Sequence, residues 1–332
     1  MSGKKVVVTG ASGYVAAHII RNFLSAGYEV VGTVRSNSSA ESVKKANAEY
    51  ANKLSFALVP DMTVEGAFDE ASKGAAGIIH TASPFVLAPE DNERDLLQPA
   101  IQGTVRVLEA AQANGIKRVV ITSSFAAILD LSQGYRVGHT YTEADWNPVT
   151  YDEAAKNDNG PFVYCASKKL AEKAAWDWVA EHKPNFDLAT VNPPWVFGPG
   201  INKLPLSKLN ESTEAIYKLV NGSYSEVPPV DFGGFVDVRD ISLAHLRAFE
   251  VPEAGGHRFL VGNHFDYQSA VDALRPEFPQ LKDKIPEGTP GVLADVYQVN
   301  GSKAEKILGI KYTPLAQTMK DTVAQLLEWE KA

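Results

Sequence analysis

Residues 8–20 read "VTGASGYVAAHII". Gly10, Gly13 and Ala16 stand at three-residue intervals between a β-branched run (4–10) and a helical apolar pattern (14–26) that stops at Gly27. Glycines in such a turn let the backbone approach a pyrophosphate, which sits on the N-terminus of the following helix. Ala16 allows close packing of helix on strand. A glycine-spaced triplet alone is weak evidence, but between a strand and a helix it marks a dinucleotide site rather than an ordinary tight turn.

Working outward, the same alternation continues to about residue 193. Short β-branched runs at 28–35, 54–60, 77–82, 118–124 and 187–193 lack polar alternation, as strands covered on both faces do. Between them the apolar spacing predicts helices over 40–52, 64–72, 94–114 and 161–182. Strand–helix alternation of this kind predicts an α/β fold, a doubly wound parallel (Rossmann) sheet with right-handed crossovers. Ligands then sit beyond the carboxyl ends of the strands.

After residue 195 Pro, Gly and Asn interrupt the pattern. A helix over 209–221, a strand running into a helix over 235–250, a strand at 257–263 and helices at 267–275 and 315–331 are expected. The reading is a nucleotide-binding domain of 1–195 and 236–263, with a smaller, mostly C-terminal substrate lobe of 196–235 and 264–332.

The chain has 332 residues, 45% of them apolar, and a net charge of −8, which argues against a nucleic-acid or anionic-membrane surface. Cys165 is the only cysteine, so no intrachain disulfide forms, and a small helix-packing role is expected for it. "MSGKKVVVTG" passes directly into a strand-like run, so no signal peptide is expected. No uncharged apolar run approaches the roughly 20 residues that cross a bilayer. A cytoplasmic protein, monomeric or homodimeric, is expected.

The second strand ends "GTVRS", with Arg35 where an NAD-preferring site places an acid for the ribose 2′-hydroxyl. A guanidinium pairs with a 2′-phosphate, so NADP(H) is the expected cofactor. Asp61 after the third strand is a candidate for the adenine amino group or for an N-cap. "HTASPF" ends the fourth strand, where Thr81, Ala82 and Ser83 let a cofactor lie close. The fifth strand ends at Ser123 and Ser124, and the following long helix carries Tyr164 and Lys168 one turn apart on one face. Hydroxyl, phenol and ammonium together suit carbonyl reduction. The phenol donates a proton as negative charge develops on the substrate oxygen. The lysine cation is expected to lower the phenol's pKa, and Ser124 to hold the carbonyl oxygen. Lys169, about 100° away around the helix, is expected to be solvated. The seven histidines lack ligand spacing, so no metal is expected.

"TGASGYVA", "TSSFAA", "YCASK" and "NPPWVFGP" together resemble the extended short-chain dehydrogenase/reductase superfamily. "HTASPF" and "WNPVTYDEA" are most similar to its dihydroflavonol reductase-like branch, which includes yeast-type NADPH-dependent aldehyde and ketone reductases. The resemblance implies Ser124, Tyr164 and Lys168 as catalytic triad, with Lys168 also bonding the nicotinamide ribose. It implies Gly10, Ser12, Gly13, Tyr14 and Val15 around the phosphates and Arg35 at the 2′-phosphate. Asp61 and Met62 would flank the adenine, and Pro193 and Val196 the nicotinamide. Phe85, Phe125, Trp195 and Phe197 are candidates for an apolar substrate wall, each with core packing as the alternative.

The expected function is therefore NADPH-dependent reduction of an aldehyde or ketone to a chiral alcohol, with Tyr164 as proton donor. Two other readings stand beside it. A nucleotide-sugar epimerase or dehydratase could use the same scaffold, although Arg35 points away from NAD. A non-catalytic NADP-binding redox sensor would be expected to have lost the tyrosine or lysine, and both are present.

Overall fold

The computed structural model describes residues 4–331. Residues 1–3 and 332, which the expected domain limits include, lie outside the described residues. Five strands open the chain: β1 (Lys5–Thr9), β2 (Glu29–Val34), β3 (Leu54–Leu58), β4 (Gly77–His80) and β5 (Arg118–Thr122). The two-residue β6 (Thr140–Tyr141) precedes β7 (Asp187–Asn192), β8 (Trp195–Phe197) and β9 (Gly234–Asp237). β10 (His257–Leu260), β11 (Asn263–His264) and β12 (Gln298–Val299) complete the set.

Seven strands pair in the order β10-β7-β5-β4-β1-β2-β3, all parallel. Val7 of β1 lies opposite Val31 on one side and Ile78 on the other. The strand order turns back between β1 and β4, so the crevice of a doubly wound sheet opens at their carboxyl ends.

The triple valine of β1 follows from burial on both faces. Val6 and Val8 pack with Ile19, Ile20 and Phe23 of α1 (Tyr14–Ser25), while Val7 joins the opposite layer. Each such side chain, fully buried, contributes about 1.5–3 kcal/mol of transfer free energy. α2 (Asn37–Ala46) starts where the Ser36 side chain accepts a hydrogen bond from the Ser39 amide. On the far face lie α3 (Asp69–Ser72), α4 (Gln98–Ala113), the short α5 (Tyr151–Ala155) and the 23-residue α6 (Gly160–His182). The helix expected over 64–72 is reduced to its last four residues, because Gly66 takes a left-handed φ of 73° and breaks the turn before it. α4 is entered through one π-helical turn, Glu93–Leu97.

The smaller layer holds α7 (Glu211–Val220), α9 (Tyr267–Glu277) and α11 (Leu315–Glu330), packed with a three-stranded sheet ordered β11-β9-β8. α8 (Val238–Glu250) returns to the main sheet against α1 through Ile241, Ala244 and Ala248. α10 (Ser302–Leu308), unforeseen from the spacing, also buries Ala304 and Leu308 on that face. It therefore departs from the substrate lobe assigned to 264–332. No helix among the described residues is long and apolar enough to cross a membrane.

Candidate active site

β1 delivers the chain into a turn at Gly10, whose φ is 65°. A Cβ there would lie 2.9 Å from the Ala82 backbone, so β4's extension can approach only a glycine. Thr9 closes the other side: its hydroxyl accepts from the Thr81 and Ala82 amides at 3.0 and 3.1 Å and contacts His80 Nδ1 at 2.8 Å. Thr81 Oγ1 returns a hydrogen bond to the Thr9 carbonyl, and Ser83 Oγ donates to Pro84 O at 3.3 Å. Gly13 caps α1 without a side-chain acceptor, and the first turn carries no acid. The first bond of the helix is Ala17 N to Gly13 O at 3.0 Å. The amides of Tyr14, Val15 and Ala16 are thus left at the positive end of a 12-residue helix. That donor set suits a diphosphate. The Tyr14 side chain turns away, its hydroxyl donating to Gly198 O at 2.7 Å, and Val15 packs against the core.

From this turn a cleft of about 730 Å³ runs past Ser12, Arg35, Asp61, Met62 and Ser83 to Phe85. Arg35 is exposed at the end of β2. Beside it, Ser36 Oγ contacts the hydroxyls of Ser38 and Ser39, each at 3.0 Å. Asp61 accepts from the Thr63 amide and hydroxyl at 2.8 and 2.7 Å, and the Thr63 amide chiefly holds its carboxyl below the usual range. It caps a turn and no helix, since α3 starts only at Asp69. Met62 wedges against α4, where a Cβ on Gly103 would come within 2.8 Å of it. The cradle, the exposed guanidinium and the cleft between them fit a 2′-phosphorylated dinucleotide.

The catalytic candidates meet at the far end. Ser124, extended at φ −161°, follows β5 and starts a single 3₁₀ turn, its Oγ accepting from Ala126 N at 3.1 Å. α6 begins where Asn159 Oδ1 accepts from the Phe162 amide at 3.1 Å. Gly160 must be a glycine, because a Cβ would stand 1.7 Å from Leu87 O. One turn further, the Tyr164 phenol interacts with the Ser124 hydroxyl. Lys168 Nζ lies 5.9 Å from the Tyr164 ring centre and makes no hydrogen bond to another described residue.

Burial rules the electrostatics. It pushes Lys168 down to about 8 and pushes the Tyr164 phenol up, with Cys165 and Glu211 adding and Ser124 opposing. The expected depression of the phenol by Lys168 is therefore overturned in this state. Desolvation disfavours the charged form of each partner and, for the phenol, outweighs the opposing Ser124 hydrogen bond.

Of the aromatic wall, Phe85 is 53% exposed and meets Tyr164 edge-on at 5.1 Å. Trp195 is partly buried, its indole donating to Asp231 at 3.2 Å. Phe125 and Phe197 correct the expectation. Both are 0% exposed, Phe125 among Tyr141, Phe232 and Tyr297 and Phe197 against Phe235 and Phe265. Pro193 and Val196 are buried where β7 runs into β8, and the Pro193 carbonyl accepts from Phe125 N at 2.8 Å. Cys165 is buried, its thiol pushed up to about 12. Lys169 is no free surface lysine: it donates to Val149 O at 2.7 Å, bracing α6 against the loop before α5.

One feature escaped the spacing. Glu172, one turn past Lys168, is buried and paired with Arg258 at 2.6 Å. A glutamate in an alanine-rich helix carries no local mark of a partner 86 residues away. Among the described residues no group of three or more His, Cys, Asp or Glu could hold a metal ion.

Residues 6–262 match the family described as NAD dependent epimerase/dehydratase. The chain is 38% identical to the NADPH-dependent methylglyoxal reductase GRE2 of Saccharomyces cerevisiae over 98% of each sequence. It is 37% identical to the ketoreductase azaE of Aspergillus niger, over 98% of both chains. The crystal structure of the yeast methylglyoxal/isovaleraldehyde reductase Gre2 with NADPH superposes at a TM-score of 0.92 and 36% identity, covering 98% of this chain and 99% of that one.

Proposed function

The chain belongs to the NAD-dependent epimerase/dehydratase family, and from that membership and the site we infer an NADPH-dependent carbonyl reductase. The observation that carries the inference is that Ser124, Tyr164 and Lys168 come together beside Phe85, which lines the same cleft as Arg35. Relatives named for methylglyoxal and ketone reduction support it. The substrate is a small aldehyde or ketone and the product an alcohol. The enzyme works in the cytoplasm, as a monomer or homodimer.

In this reading Gly10, Ser12, Gly13 and the free amides of Tyr14 and Val15 bind the cofactor's diphosphate. Arg35 holds the 2′-phosphate, Asp61 and Met62 border the adenine, and Thr81, Ala82 and Ser83 form the cleft wall. Pro193 and Val196 back the nicotinamide side. Bound NADPH supplies the hydride. Ser124 Oγ orients the carbonyl oxygen, and the Tyr164 phenol, kept neutral by burial, gives it a proton as charge develops. The Lys168 cation, one helical turn along, stabilises the phenolate left behind. Phe85 and Trp195 offer apolar surface to the substrate. Of the described residues, 4–195 with 236–263 form the cofactor domain; 196–235 with 264–331, less α10, form the substrate lobe.

Loss of NADPH absorbance with a panel of aldehydes, ketones and nucleotide sugars tests this. Carbonyl-dependent oxidation is expected with the first two classes, and none across the panel would refute the reading.

A further inference from the structure

The Glu172 side chain is 0% exposed, yet its carboxylate is fully engaged. Oε2 accepts from Ser123 Oγ at 2.5 Å and Asn192 Nδ2 at 2.6 Å. Oε1 accepts from Arg258 Nε at 2.6 Å and Thr190 Oγ1 at 2.9 Å. Ser123 follows β5, Thr190 and Asn192 end β7, and Arg258 belongs to β10. One carboxylate on the helix of Tyr164 and Lys168 thus ties that helix to three adjacent strands. Arg258 is fixed from behind, donating to Glu143 O and Asp145 O at 2.6 and 2.8 Å with its guanidinium 3.5 Å from the Trp146 ring centre.

The cluster reaches the reacting groups by a short route. Asn192 Nδ2, held by Glu172, also donates to the Ser124 carbonyl at 3.2 Å. The Ser124 hydroxyl is held by backbone groups, accepting from Ala126 N at 3.1 Å and reaching Pro193 O at 3.5 Å, so its place follows that of the backbone around it. Stability alone is a poor reason for such an arrangement. A buried ion pair is often matched or exceeded in stability by apolar residues of the same volume, whereas removal of one partner strands the other charge.

We infer that the Glu172–Arg258 pair is a positioning device, setting the register of α6 against the ends of β5 and β7 and with it the approach of Tyr164 to Ser124. Its purpose rests on the reductase reading above. Its geometry does not.

Three variants separate positioning from folding. Glu172→Gln turns one acceptor oxygen into a donor and strands Arg258; Glu172→Leu with Arg258→Met removes both charges; Ser123→Ala cuts a single bond. Glu172→Gln should lower kcat about 10- to 100-fold, since misplacement by about 1 Å costs about that much. KM for the carbonyl and Kd for NADPH, read by nicotinamide fluorescence, should stay within about threefold. The double variant should unfold near the wild-type temperature yet keep the kcat defect. Recovery of its kcat to near wild type would mean that the pair serves the fold only, and would overturn the inference. Should either charge variant fail to fold, Ser123→Ala decides: a several-fold loss of kcat at constant KM supports positioning, and unchanged kcat refutes it.

A readout independent of turnover is hydrogen exchange at the Phe125 amide, bonded to Pro193 O. It should quicken by about tenfold in Ser123→Ala while β1 and β2 amides hold; equal rates would overturn the inference. Faster exchange at Phe125 in an enzyme that reduces no carbonyl would refute the reductase reading and leave the positioning geometry standing.

Discussion

Lys168 offers the sharpest test of the proton chemistry, because burial takes its ammonium from the ordinary 10.5 to about 8. That drop corresponds to about 3 kcal/mol in favour of the neutral amine. The cation assigned to stabilise the Tyr164 phenolate in the proposed mechanism is therefore expected below about pH 8 and lost above it. Initial rates of NADPH oxidation at saturating carbonyl, scanned from roughly pH 6 to 10, should show kcat level at the acid end. Above a midpoint near 8 kcat should fall about tenfold per pH step. The midpoint belongs to the coupled Tyr164–Lys168 pair rather than to either group alone. Lys168→Met should lower kcat by about 100-fold and abolish that limb. The same substitution should also act on the protein without cofactor. Below pH 8 the lysine is charged in both folded and unfolded chains, and only the folded chain bears the cost of desolvation. Lys168→Met should then be more stable to urea by up to about 3 kcal/mol at pH 7. The advantage should fade as pH rises from about 8 towards 10.5, where the wild-type lysine is neutral in both states. A wild-type kcat that stays level through pH 9.5, or the same falling limb in Lys168→Met, would refute the reasoning.

Three further outcomes are expected. Tyr164→Phe should cut kcat by about 10²- to 10⁴-fold while NADPH fluorescence reports unchanged cofactor affinity; near-normal turnover would exclude that phenol as the acid. Arg35→Asp should raise KM for NADPH by about 10- to 100-fold and shift preference towards NADH, and an unaltered ratio of the two cofactors' kcat/KM would exclude a 2′-phosphate role. Gly160→Ala places a Cβ 1.7 Å from Leu87 O, so the start of α6 or the 84–88 segment must move by more than an ångström. Denaturant unfolding should show a loss of about 2–4 kcal/mol, with kcat falling as well because Phe85 and Tyr164 sit on those two segments; wild-type stability would show that the two segments do not meet.

The architecture was legible where local pattern and burial state the same thing. The unbroken valines of β1 say that both faces are covered, and Gly27 and Gly115 stop α1 and α4 where the apolar spacing ends. The stretch at 64–72 misled because its apolar spacing ignored the left-handed Gly66. The short α5, α10 and β6 left no periodicity to read; they are held by what they pack against. Among the candidate site residues, the turn at Gly10, Arg35, Ser124 and the Tyr164–Lys168 pair stood out because each lies at the end of a strand or on the helix that follows one.

Sequence by itself determined the alternation, and hence which strand ends face one crevice and which side chains are candidates there. Only the tertiary structure decided how those groups behave. Whether Phe125 and Phe197 line a cleft or fill a core depends on neighbours such as Tyr297 and Phe265, far along the chain. Whether Tyr164 is acidified by Lys168 depends on how much water the fold removes from both, and here desolvation wins. The Glu172 carboxylate acquires meaning only when β5, β7 and β10 bring Ser123, Asn192 and Arg258 to it. Burial and long-range partners are sums over residues remote in sequence, which no local spacing encodes.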